Sequence, residues 1–190
     1  MDEKYVRYKS RKGVIYISDE VIDAIHKRRS VREFVDRDVS IETIKQILDA
    51  GRWAPSGLNN QPWKFIVVRD RELIARLSEQ TSYGHILKGA AFAICVFLDR
   101  ESSYDRDKDA MAMGAASENM LLAARALGLG GVWLGQILAN RERVRQILKA
   151  PESLELMAVL AMGYPVEKER ISSRKDLSEI AFLDRYGNPI

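Results

Sequence analysis

The chain has 190 residues, enough for one domain with a sizeable core. It is 46% hydrophobic and 30% charged, with no Pro/Ser-rich tract and no long run of one sign, which excludes a disordered or low-complexity protein. Thirty basic and 27 acidic residues leave a formal net charge of +3, too balanced to imply nucleic acid by itself.

The elements follow in chain order. Residues Tyr5–Ile17 hold two short β-prone stretches around a Gly-containing turn, so a hairpin is expected. Ser18 or Asp19 can cap a helix running to about Arg28, with Val21, Ile22 and Ile25 on its inner face. Ser40 caps a second helix, whose Ile41, Ile44, Ile47 and Leu48 recur at helical spacing; Gly51 is expected to end it. The stretch from Trp53 to Pro62 is rich in Pro, Ser, Gly and Asn and reads as loop.

Trp63–Val68 reads as a strand, and Asp70 caps a helix through about Glu79. Ala90–Leu98 is a continuous apolar run of strand length, hence a central strand. Asp107–Leu127 is the longest helix, and its Ala- and Gly-rich interior is apolar on nearly every face, which predicts burial all round and a crossing with its own copy in a dimer. Gly128, Gly130 and Gly131 terminate it; Val132–Leu134 is a short strand or turn. Arg141–Leu148 reads as a helix and Leu154–Met162 as a strand. The charged tail from Val166 has too few apolar residues to fold alone and is expected to wrap around a partner subunit.

This mixed order predicts an α+β fold, a sheet flanked by helices, and lacks the strand–Gly-rich turn–helix unit of a dinucleotide-binding domain. No apolar run approaches the about 18 residues of a membrane span, and the charged start, Met1 to Lys12, lacks the apolar core of a signal peptide. A cytoplasmic protein is expected. The single cysteine, Cys95, lies inside an apolar run and reads as a packing residue; His26 and His85 are far apart, and no Cys/His spacing matches a metal site.

Three constellations could carry chemistry. Arg28-Arg29-Ser30-Val31-Arg32 follows a predicted helix and has two readings: basic residues there offset the helix dipole, and guanidinium forks beside a hydroxyl also suit a phosphate. The loop Ala54-Pro55-Ser56-Gly57-Leu58-Asn59-Asn60-Gln61-Pro62-Trp63 is either a structural loop braced by its amides or a wall for a flat ring. In Gly130-Gly131-Val132-Trp133-Leu134-Gly135-Gln136, missing Cβ atoms would let a ligand reach backbone amides. A tight helix-to-strand connection explains Gly130 and Gly131 equally well, but Gly135 less easily.

Together with Met162-Gly163-Tyr164-Pro165, these segments resemble the nitroreductase family in order and spacing, over roughly Val21 to Ile180. The resemblance implies a three-layer fold with a central, mostly antiparallel sheet, an intertwined homodimer, and FMN at the subunit interface. One domain would span residues 1–190, with 1–19 as an N-terminal extension and 166–190 as an extended arm. Arg28, Arg29 and Ser30 match positions that hold the phosphate and ribityl chain, and Arg32 a basic residue at the pyrimidine edge. Pro55, Ser56, Gly57 and Asn59 match a loop that the partner subunit contributes. Leu134, Gly135 and Gln136 match the segment whose backbone amide faces flavin N5. Arg174 and Lys175 match basic residues that reach the phosphate. The family often has a second Ser where Gly57 stands and sometimes an acidic residue at Gly135, so both contribute backbone only here.

The implied activity is NAD(P)H-dependent reduction of nitroaromatics, quinones or similar acceptors by a ping-pong mechanism, with no catalytic side chain because flavin N5 carries the hydride. A cation such as Arg32 near N1 and the C2 oxygen would stabilise the reduced ring. Two alternatives stand beside it. One keeps the fold but runs another flavin reaction, such as dehalogenation, flavin destruction or dehydrogenation. The other is a nucleic-acid-binding module using Lys9–Lys12 and Lys27–Arg32.

Overall fold

In the computed structural model, residues 5–10, 13–18, 20–168 and 171–190 are described. Strands β1 (Tyr5–Ser10) and β2 (Gly13–Ser18) pair antiparallel as the expected hairpin. The cluster at Lys9–Lys12 and the candidate cap Asp19 fall partly or wholly outside the described residues. Helix α1 covers Glu20–Lys27 and α2 covers Ile41–Arg52.

The core is a four-stranded sheet of β3 (Trp63–Val68), β4 (Phe92–Asp99), β5 (Gly130–Leu134) and β6 (Leu154–Gly163), in the order β3-β4-β6-β5. Every pairing in it is antiparallel. Helices α3 (Arg71–Ser78) and α4 (Gly84–Gly89) join β3 to β4; α5 (Arg106–Ala126) carries the chain past β6 to the far edge; α6 (Arg141–Ile147) precedes β6.

Alternation along β4 makes the layers. Phe92, Ile94, Val96 and Leu98 face α2 and α5, while Ala93, Cys95 and Phe97 face the side of α3, α4 and α6. Because helices cover both faces, all of β4 is buried, which is why its sequence is apolar without interruption from Phe92 to Leu98, before the closing Asp99. Each large side chain here, such as Phe92 or Phe97, contributes about 1.5–3 kcal/mol by leaving water. In β6 the parity slips: Val96 pairs with Ala158 but Phe97 with Leu156, so Met157 is an extra residue. Ala158, Leu160 and Met162 consequently face α5, whereas Leu154 and Leu156 face the opposite layer. Cys95 is buried in that opposite layer, and burial pushes its thiol pKa up to about 12.

Local chemistry sets the helix ends. Ser40 Oγ accepts from the Thr43 amide at 3.1 Å, and Asp70 Oδ1 from the Leu73 amide at 2.8 Å. Asp105 caps α5 by accepting from the Asp107 and Lys108 amides. At the other end Gly128 takes φ +78°, and the Leu129 amide reaches back to the Ala124 carbonyl at 2.8 Å.

Three expectations are corrected. Val21, Ile22 and Ile25 are exposed, not inward, so the apolar stripe of α1 is uncovered in the single chain. Helix α5 is covered on one side within the single chain, and the face expected to meet its own copy is open: Met111 is 74% exposed, and Gly114, Ala115 and Leu122 are half-buried there. Gly51 does not end α2 but lies within it, where a Cβ would come 2.8 Å from Met120 Cγ. Gly130 and Gly131 belong to β5, leaving Gly128 as the terminator of α5.

Helix α4 escapes sequence reading because its Gly-His-Ile-Leu-Lys-Gly carries only two apolar residues between glycines, both fully buried. A Cβ on Gly84 would overlap the Ser78 carbonyl, with the carbonyl carbon at 2.9 Å. That obstacle is backbone and cannot rotate away. Gly84→Ala is expected to cost about 1–3 kcal/mol of stability, read as a lower urea midpoint with an unchanged slope.

Candidate functional site

The arginine-rich segment leaves α1 and runs along the open edge of the sheet. Ser30 forms a parallel bridge with Gly131, and the Val31 amide donates to the Gly131 carbonyl at 3.0 Å. Further on, Phe34 bridges Pro165; the Val35 amide donates to the Tyr164 carbonyl at 2.8 Å and the Val166 amide to the Glu33 carbonyl at 3.1 Å. Residues 30–35 are thus stitched to β5 and to the exit of β6, which brings together two motifs a hundred positions apart.

Extended backbone sends alternate side chains to opposite sides. Val31 turns inward and is buried, while Ser30 and Arg32 are exposed. Arg28, Arg29, Ser30, Arg32 and Arg174 line one cleft of about 540 Å³ together with Glu33, Lys168, Ile171 and Ser172. Some of this charge is already answered: Arg28 Nε donates to Glu118 Oε1 at 3.0 Å, and Lys168 pairs with Glu33 at 2.8 Å. Arg29 donates to the His26 and Arg28 carbonyls, and Arg174 to Ser172 Oγ and the Ser173 carbonyl. Among the described residues Arg32 has no hydrogen-bond or ion-pair partner. Lys175 is exposed but does not line this cleft.

The glycines of β5 have distinct reasons. A Cβ on Gly130 would sit 2.5 Å from Val31 Cγ2, and one on Gly131 would sit 2.8 Å from Leu121 Cδ2. Both are explained by packing of the chain against itself inside β5, rather than by the tight helix-to-strand connection expected. Gly135 differs: a Cβ there would meet nothing within 4 Å, leaving backbone open to an incoming ring. Leu134 before it is buried. Gln136 uses its side chain as a strut, accepting from Thr81 Oγ1 at 2.6 Å and from the Ser82 amide at 3.0 Å.

The Pro55–Asn59 loop lies elsewhere on the chain. Pro55, Ser56 and Gly57 border a shallow cleft of about 340 Å³ against Lys108, Met111 and Ala115 of α5. The loop is a tight 3₁₀ turn at Gly57–Asn59, with Leu58, Asn59 and Gln61 at positive φ, a conformation that costs non-glycine residues energy. Asn59 is exposed and does not border the cleft.

A buried carboxylate holds the loop in that shape. Asp109, on the first turn of α5 and fully buried, accepts from Asn60 Nδ2 at 2.9 Å through Oδ1. Its Oδ2 accepts from Ser103 Oγ at 2.6 Å and from the Tyr104 amide at 3.1 Å. Asn60 Nδ2 also donates to the Ser102 carbonyl at 3.1 Å, while its buried Oδ1 has no partner among the described residues. Burial by itself would raise the Asp109 carboxyl, but the bonds from Ser103, Asn60 and the Tyr104 and Asp105 amides outweigh it and hold the pKa below the usual value. The Asn60 amide is a brace of the kind the sequence suggested for this loop, whereas sequence reading passed over Asp109; an acidic residue inside an Ala-rich helix face was the available signal.

The chain matches the family described as the nitroreductase family over residues 25–82 and 77–164. A protein of Archaeoglobus fulgidus provisionally named NADH dehydrogenase/NAD(P)H nitroreductase is 43% identical over 155 residues, covering 80% of this chain and 88% of its own. A provisionally named nitroreductase of Desulfovibrio desulfuricans, crystallised in complex with FMN, superposes with a TM-score of 0.83 at 46% identity, covering 87% of this chain and 97% of that one. An iodotyrosine deiodinase of Thermotoga neapolitana is 29% identical over 168 residues, covering 75% of this chain and 87% of its own.

Asp109→Asn keeps the shape and forfeits the charge. It is expected to lower stability at pH 7 by about 1.5–3 kcal/mol, the scale of hydrogen bonds to a charged group. A depressed carboxyl contributes stability above the unfolded pKa of about 3.9 and loses it as pH falls through the lower folded value. The gap between parent and variant in urea unfolding should therefore be full near neutrality and close progressively below about pH 4.

Proposed function

The chain belongs to the nitroreductase family, and on that premise we propose that it is an FMN-dependent oxidoreductase that takes reducing equivalents from NAD(P)H and passes them to small electron acceptors by a ping-pong mechanism. The observation that carries the reading is the cleft where Arg28, Arg29, Ser30, Arg32 and Arg174 converge. Its donor chemistry fits a phosphate-bearing cofactor, since guanidinium forks and a hydroxyl match phosphate oxygens.

Each site residue takes a role in this reading. Arg28, Arg29 and Ser30, with Arg174 and Lys175 from the arm, hold the phosphate end. Arg32, which has no partner among the described residues, supplies the cation at the pyrimidine edge. Leu134, Gly135 and Gln136 present backbone toward the ring, with Gly135 leaving the approach open. Pro55, Ser56, Gly57 and Asn59 form the opposite wall, contributed by a second copy of the chain. Bound FMN supplies two-electron redox chemistry, and the protein supplies charge, orientation and exclusion of water.

Uncovered apolar faces support the homodimer. Val21, Ile22 and Ile25 of α1, Met111 of α5, and Ile171, Leu177 and Ile180 of the arm are all exposed in the single chain. The nitroaromatic and quinone acceptors come from the family likeness, and the deiodinase relative favours keeping a second flavin reaction in view. Against dehalogenation in particular, only residues 100–105 and 127–129 connect α5 to the strands on either side, too short for the sizeable helical lid that dehalogenating relatives close over an aromatic substrate. Among the described residues no helix is long and apolar enough to cross a membrane.

The expected preparation is yellow, dimeric by light scattering, and bleached by NADH or NADPH without oxygen. A flavin that stays oxidised with both donors would favour the second reading; a colourless monomer binding DNA or RNA in a salt-dependent way would favour the nucleic-acid alternative. Arg32→Ala is expected to weaken FMN retention and slow flavin reduction, both measurable by stopped-flow absorbance. Parent values for both would remove Arg32 from the site.

A further inference from the structure

The chain puts a phenol where residue 57 has no side chain. A Cβ built on Gly57 would overlap the Tyr104 hydroxyl oxygen and lie 2.5 Å from Cζ and 2.7 Å from Cε1 of that ring. Gly57 does not take positive φ, unlike Leu58 and Asn59 beside it. With Tyr104 so placed, it is the neighbouring ring rather than the turn that occupies the space of a side chain at 57.

Tyr104 is held from two directions. Its amide donates to buried Asp109 at 3.1 Å, and its ring lies under the Lys108 ammonium at 5.2 Å. Lys108 is in turn paired with Asp105 at 3.1 Å. The residue is nonetheless 44% exposed, and its hydroxyl has no partner among the described residues. The same Asp109 carboxylate that shapes the Pro55–Asn59 loop through Asn60 therefore also delivers a free O–H donor to the face of that loop.

We infer that Tyr104 is a cofactor-contacting residue: its phenol stands in for the side chain that Gly57 lacks and donates a hydrogen bond to an edge acceptor of the isoalloxazine that the loop encloses. This rests on the proposed role of the loop as the second wall of the FMN site. No electron or proton is transferred by Tyr104; it binds and orients.

The test is FMN retention by the purified yellow protein, read as free-flavin fluorescence released on dilution, together with the visible band positions of the bound flavin. Tyr104→Phe removes one oxygen and leaves the ring contact with Lys108. It should raise the FMN dissociation constant by about 3- to 10-fold, the scale of one hydrogen bond, and shift the flavin bands. Tyr104→Ala should lose at least as much. The double variant Gly57→Ser/Tyr104→Ala opens the space and returns a hydroxyl to residue 57, so it should recover much of what Tyr104→Ala loses. Parent-like retention and spectrum in Tyr104→Phe would overturn the inference while leaving the FMN site intact, as would a double variant no better than Tyr104→Ala. A parent protein that retains no FMN would remove the reading of the site and this inference with it.

Discussion

The architecture of this protein turns on a short stretch of backbone pairing: Ser30 bridged to Gly131 on the outer edge of β5, with the Val31 amide hydrogen-bonded to the Gly131 carbonyl. An edge strand carries unpaired amides and carbonyls that need an occupant. Here the occupant is the arginine-rich segment itself. Once it lies there in extended form, strand alternation fixes the rest. Val31 is driven into the core, demanding the bare Cα of Gly130 beneath it, while Ser30 and Arg32 face solvent. The cation cleft is a by-product of covering a sheet edge, and its rigidity is inherited from the sheet.

The other surface of interest is organised by charge rather than by strands. A fully buried carboxylate is costly unless its lone pairs are filled. Asp109 fills them with donors from both the β4–α5 connection and the loop after α2, so two segments far apart in sequence are fixed by one group. That accounts for a loop able to hold three non-glycine residues at positive φ. The two surfaces sit in separate clefts of one chain.

Much of the fold was legible because its causes are local. Ser40 and Asp70 announce helix starts, Gly128 a helix end, and the unbroken apolar run of β4 a strand covered on both faces. What stayed hidden depends on partners distant in the chain. Gly130 answers to Val31, Gly51 to Met120 and Gly57 to Tyr104, none of which periodicity can pair. The face of α1 was misjudged for a related reason: a hydrophobic stripe tells that a helix wants cover, not whether its own chain supplies it. The arginine-rich run and the Pro-Ser-Gly loop with its bracing amides were found as motifs, yet Asp109, which the Asn60 amide engages, read as an ordinary polar residue.

The placement of Cys95 has a practical side. Its thiol is sealed in the layer between the sheet and α3, with ionisation suppressed to about pH 12. Thiolate is the nucleophile that attacks alkylating reagents and disulfides, so the native protein is mute toward them. Since the sequence has no other cysteine, a spectroscopic or fluorescent tag on a newly introduced surface thiol would report from one known address. Any modification at Cys95 would in turn register only those moments when the sheet comes apart.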